Sequence, residues 1–200
     1  MPLGAFKAAL MGTAGVSTGD VVLLSSQTAS SSASITFSSG ITSTYGEYIF
    51  KFYNMHPSDT SGPELSFQCN ATDSTSYDET ITSTAFYVYH EEDDGAAAMA
   101  YTAGWDQAQG TALQTVIINI GADNDESGVG ELHLFNPAST TYVKHWYALG
   151  SSVTHNVDDP NSTQIYTAGY MNTTTAIDDI QFKMSAGNID TGTIKMWGVK

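Results

Sequence analysis

The chain has 200 residues, 41% of them hydrophobic and 11% aromatic, enough to bury one core without staples and too apolar for a disordered chain. Twenty-one acids face six lysines and no arginine, a formal charge of −15, which excludes the clustered cations of a nucleic-acid binder and repels anionic lipid headgroups. A single cysteine, Cys69, excludes an intrachain disulfide.

Residues 1–19 are small and apolar, rich in Gly and Ala, and lack strand alternation. Phe6, Leu10 and Met11 share one face of a short helix, too short to stand alone in water. Two readings stay open for this N-terminal arm: it packs on its own domain, or it grips a neighbouring subunit through those three side chains. A secretory signal is not expected, because Lys7 interrupts the segment and the apolar run after it is short. No stretch is long and apolar enough for a membrane span.

Residues 20–200 read as one β-sandwich domain. Val21–Leu24 is a short apolar run, and Ala33–Phe37 follows a serine-rich link. Tyr45–Met55 alternates clearly, with Tyr48, Phe50 and Phe52 on one face and Ile49, Lys51 and Tyr53 on the other. A Pro/Gly loop over 56–63 leads to Glu64–Cys69, where Cys69 is in phase with Leu65 and Phe67 and reads as an inert core thiol. A polar loop over 70–82 precedes a strand over Thr84–His90. Residues 91–114 read as a long insertion without strand pattern, opening on four acids and containing Trp105. Thr115–Ile120 is a nearly continuous apolar run and is expected to be central. Strands over Val129–Asn136, Thr141–Ala148 and Gln164–Gly169 follow. The chain closes on Ile177–Met184 and Thr193–Lys200, joined by a glycine-bounded loop, so its C-terminus is pinned inside a sheet.

About ten strands, long connections and no fixed-period repeat point to an all-β, two-sheet sandwich, jelly-roll-like, with a short N-terminal arm. Three acidic clusters could offer oxygens to calcium: Asp123-Asn124-Asp125-Glu126, Glu91 to Asp94, and Asp158-Asp159. None matches an EF-hand loop, and solvated turns that blunt sheet edges are the preferred reading. His56, His90, His133, His145 and His155 have no zinc-site spacing. No G-x-S-x-G elbow occurs. No catalytic, cofactor or metal residue is therefore expected, and no enzymatic role. The aromatics Tyr101, Trp105, Tyr142, Trp146 and Tyr170 fall in or beside loops and strand ends, where rings stack on sugars or anchor interfaces. Trp105 is expected at an interface.

Three stretches carry a likeness: Gly130–Lys144, Asn172–Ile177 and Ser185–Val199. The last has a Gly187-Asn188-Ile189 loop and a closing strand ending aromatic-Gly-aliphatic, here Trp197-Gly198-Val199. Over roughly 115–200 the chain resembles virion proteins of tailed bacteriophages, especially those of marine bacteria and cyanobacteria. The resemblance implies a jelly-roll-like sandwich built into the particle. The leading expectation is a capsid cement or decoration protein, made in the host bacterial cytoplasm. Its partners would be the phage major capsid protein and itself, as a homotrimer on a particle symmetry axis. The alternative is a tail-fibre or receptor-binding domain whose loops contact host surface glycans.

Overall fold

A computed structural model describes residues 20–154 and 160–200. Phe6, Leu10 and Met11 lie outside the described residues, as do His155 and the Asp158-Asp159 pair. The described residues form thirteen strands and no helix. In chain order these are β1 (Val21–Thr28), β2 (Ile35–Phe37), β3 (Glu47–Pro57), β4 (Leu65–Ala71), β5 (Ile81–Glu91), β6 (Ala97–Tyr101), β7 (Ala108–Gly110), β8 (Gln114–Ile117), β9 (Gly128–Phe135), β10 (Lys144–Val153), β11 (Asn161–Met171), β12 (Ile177–Met184) and β13 (Ile189–Val199).

Every pairing is antiparallel. The larger sheet runs β1-β13-β3-β9-β10-β11-β5-β6, with β7 also on β5, and the smaller runs β2-β12-β4-β8. Together they make the expected all-β, two-sheet sandwich. Period-two alternation produces it: Tyr48, Phe50 and Phe52 of β3, Leu132 and Leu134 of β9, and Ile194 and Met196 of β13 are all buried. From the smaller sheet, Phe182 of β12 projects into this layer. Its ring centroid lies 5.5 Å from Phe50, 5.3 Å from Phe52, 6.3 Å from Phe37 and 6.4 Å from Phe67. The Phe37 and Phe52 rings meet it edge-to-face, a geometry that adds to the stabilisation from buried area alone.

One feature goes beyond the sequence reading and three differ from it. The closing strands lie in opposite sheets: β12 pairs with β2 and β4, whereas β13 pairs with β1 and β3. The loop between them crosses the sandwich through Gly187, whose φ of 66° a larger residue rarely adopts. The 115–120 run is not a central strand. β8 ends at Ile117 and is the last strand of the smaller sheet, and Asn119 (φ 47°) turns the chain so that Ile120 bridges to Thr154. It is apolar because β8 lies against β10 of the facing sheet, where Ser152 Oγ donates to Ile118 O at 2.6 Å.

The 91–114 insertion contains β6 and β7. Both are short and borrow their order from β5. Lastly, Trp146 is core, 2% exposed, with its ring edge-on to Phe67 at 5.1 Å.

The insertion is tied down by two buried glutamines. Gln68 Nε2 donates to the carbonyls of Glu79, Thr111 and Ala112. Gln114 accepts from Ser83 Oγ at 2.6 Å and donates to Trp105 O at 2.8 Å. Buried amides satisfied in this way fix the covering loops at one position.

Candidate functional site

The side of the larger sheet turned away from the core is the most unusual surface of the molecule. Register places Lys195, Lys51, Glu131, Leu149, Tyr166, Phe86 and Tyr101 in one cross-strand row from β13 to β6. Trp197, Ile49, His133, Tyr147, Ala168 and Thr84 form the next row. Among the described residues the exposed large hydrophobics are Val21, Leu23, Tyr53, Phe86, Met99, Tyr101, Val129, Tyr142 and Tyr147. All but Tyr142 stand on this face, by their phase with the outward side chains of each strand. Scattered apolar residues need no explanation, but eight gathered on one sheet face do.

The face is ordered by its own contacts. Phe86 and Tyr166 stack at 4.9 Å with ring planes 9° apart, and His133 lies on Tyr147 at 4.5 Å and 14°. Lys195 Nζ sits 5.2 Å above the Tyr53 ring. An ion group runs through the middle. His133 Nδ1 meets Glu47 Oε1 at 2.5 Å, and Lys51 Nζ lies 3.4 Å from Glu131 Oε2. His133 Nε2 lies 3.2 Å from Glu131 Oε1. Partial burial pushes the Glu131 carboxyl up. His133 and Lys51 more than offset this and hold it below its ordinary value. Lys51 and Lys195 are direct register partners, so an acidic protein gathers two of its few cations here.

One end of the face opens into a cleft of about 730 Å³ lined by Phe135, Asn136, Tyr142, His145, Ser139, Thr141, Val143 and Thr174. The Tyr142 ring is 73% exposed. No carboxylate lines the cleft. Below it Lys144 is fully buried, its Nζ donating to Tyr142 O at 2.9 Å and Thr173 O at 3.2 Å. Burial lowers the pKa of this ammonium, and Glu79 acts in the opposite direction. Lys144 thus clamps the two loops that form the cleft wall.

Trp105 is half-buried, edge-on to Tyr87 at 5.4 Å, on the core-facing side of β5 beyond the edge of the smaller sheet. It is apart from the exposed face, whereas Tyr101 belongs to it. Tyr170 is half-buried beside His145. The Asp123–Glu126 loop is closed on itself: Asp123 N donates to Glu126 Oε2 and Glu126 N to Asp123 O. Glu91–Asp94 forms the β5–β6 turn, with Asp94 against His90 at 3.1 Å. Among the described residues no group of three or more His, Cys, Asp or Glu side chains is arranged to hold a metal ion. Cys69 is buried, and burial, then Glu79 and Asp179, push its thiol well above its ordinary value. It stays protonated and inert.

The exposed face was not recognised from the sequence. Its signal was present in β3, where Ile49 and Tyr53 occupy the phase that faces water in a one-sided strand. No protein-family model, curated protein or solved structure matches the chain.

Proposed function

We propose that the protein is a structural component of a tailed-phage particle, a cement protein that lies on the major capsid shell through the outer face of its larger sheet. The observation that carries this reading is the gathering of eight exposed large hydrophobics on that face. A partner that covers it would remove apolar area from water. The adjacent Lys51 and Lys195 favour a partner with a carboxylate-bearing rim, while the acidic remainder keeps copies apart before assembly. Weak contacts repeated over a shell would add through multivalency.

The test is reconstitution on particles that lack the protein. The Phe86→Glu/Tyr147→Glu double variant should remain folded with a cooperative melt, because it loses only partly exposed rings and their stacks on Tyr166 and His133. Its occupancy on the particles should fall at least tenfold, the scale expected for removing central aromatic anchors. Particles with the parent protein should retain DNA on heating, and those with the variant should not. Equal binding by the variant would reject the docking face. Equal heat resistance with and without the protein would reject the cement role.

The aromatic, carboxylate-free cleft at Tyr142 favours a second reading, a receptor-binding module for neutral host glycans. Flat rings beside hydroxyl and amide groups suit a pyranose ring. In titration with neutral oligosaccharides, Tyr142→Ala should weaken binding about tenfold, the loss of one ring-stacking contact. Absence of any saccharide binding by the parent would remove this reading. Copy number also separates the two: a cement protein is present at a level comparable to the major capsid chain, a tail module at a small fraction of it.

A further inference from the structure

We propose that β6 is a self-pairing edge through which two copies join their larger sheets across a two-fold axis. This goes beyond the docking face and does not depend on any shell.

Among the described residues β6 pairs with β5 on one side only and ends the strand order of its sheet. Glu91 N donates to Ala96 O and Thr102 N to Ala85 O, so Ala96, Ala98, Ala100 and Thr102 direct their main-chain groups toward β5. Alternation then turns the N–H and C=O groups of Ala97, Met99 and Tyr101 outward, to the free edge. Natural sheets blunt such edges with charge, proline, bulges or very short strands. β6 carries no charge and no proline, and its register with β5 is unbroken. The other edges are protected differently. β2 and β7 have three residues each, β8 has four, and β1 carries a bulge between Leu23 and Ser25.

The occupant that fits is a second copy. An antiparallel pair centred on Met99 brings Met99 against its own counterpart and Tyr101 against Ala97 of the other copy. All three outward-turned residues then meet as hydrogen-bonded pairs, giving about six main-chain bonds. The sizes match as well, a ring opposite a methyl group on one face and alanines opposite alanines on the other. The acidic Glu91–Asp94 turns flank this seam. The two turns lie at opposite ends of the antiparallel seam, each toward Asp106 of the other copy, and this like-charge repulsion is screened by salt, so association should tighten as ionic strength rises. A two-fold pair replaces the three-fold assembly expected from particle symmetry and joins two exposed faces into one.

Sedimentation and light scattering of the full chain provide the test. The parent should be a dimer at high concentration and dissociate on dilution. Met99→Lys places two like charges on the axis and should raise the dissociation constant roughly 100-fold. Met99→Pro removes a donor that β5 does not use and should likewise give monomers, with a melting temperature within about 3 °C of the dilute parent. Hydrogen exchange at the Ala97 and Tyr101 amides should be slow in the parent dimer and fast in Met99→Lys. A parent that is monomeric at every concentration overturns the proposal. So does an oligomer, of any order, that survives both substitutions.

Discussion

Phe182→Ala should destabilise the protein by about 3–5 kcal/mol, the range for removing a buried phenylalanine from a well-packed core. Among the described residues Phe182 is the one ring in contact with four other phenylalanines, and those come from both sheets: Phe37 and Phe67 beside it, Phe50 and Phe52 across from it. Truncation leaves a void between rigid β-layers that cannot collapse without shifting strands, so the cavity penalty is near its maximum. For a domain of this size each kcal/mol lowers the melting temperature by about 2–4 °C, so a fall of roughly 10 °C is expected. Urea unfolding followed by far-ultraviolet circular dichroism measures it. Phe182→Leu keeps most of the volume and should cost less than half as much. A loss below about 1 kcal/mol for the alanine variant would show that this ring does not hold the layers together.

Gly150→Ala should produce a comparable loss for the opposite reason. Gly150 lies in β10 where β8 of the facing sheet crosses it. A Cβ there would sit 2.1 Å from Val116 O and 3.0 Å from Ile117 Cα. Both are backbone atoms, which cannot rotate out of the way as a side chain could. The sheets must separate locally, breaking the Ser152–Ile118 bond that seals the same crossing. Overpacking costs about 1–3 kcal/mol in ordinary sites, and a main-chain obstacle places this one at or above the upper end. Gly46→Ala is the control. Its Cβ would meet only Asn136 Oδ1, at an ordinary 3.6 Å, and stability should change by less than about 0.5 kcal/mol. If the two substitutions have equal effects, the sheets do not meet at Gly150 as described.

The two substitutions together show how unevenly the fold was legible. Phe182 could be placed in the core from its alternation with Ile180 and Met184 alone. Gly150 could not, because a glycine in a serine-rich stretch reads as a turn until the strand that crosses it is known. The same holds for the glutamines. Gln68 alternates with Phe67 and Cys69 and so reads as solvent-facing, yet it is fully buried beneath the loop carbonyls it binds. Trp146 was placed near a strand end because its strand was read as stopping at Ala148. The strand runs on to Val153 instead, from a start at Lys144.

The exposed face shows the limit most clearly. Each strand's sequence gives the identity of its outward residues, and Tyr147, Tyr166 and Phe86 are apolar wherever they lie. That they form one surface depends on β10, β11 and β5 being neighbours, although β5 is separated from the other two by long stretches of chain. Likewise, β6 is an edge only because, among the described residues, no further strand pairs with its outer side.

Sequence by itself determined the all-β class, the period-two division of each strand into an inward and an outward side, and the inert burial of Cys69. Tertiary structure alone decided that β12 and β13 part into opposite sheets, which strand ends the larger sheet, and which outward sides bring their apolar side chains onto one face. Alternation is a local property, set by the pleat of one strand. Strand neighbours are set by hydrogen bonds between distant segments, and many arrangements satisfy the same alternation until close approaches such as β8 over Gly150 leave only one.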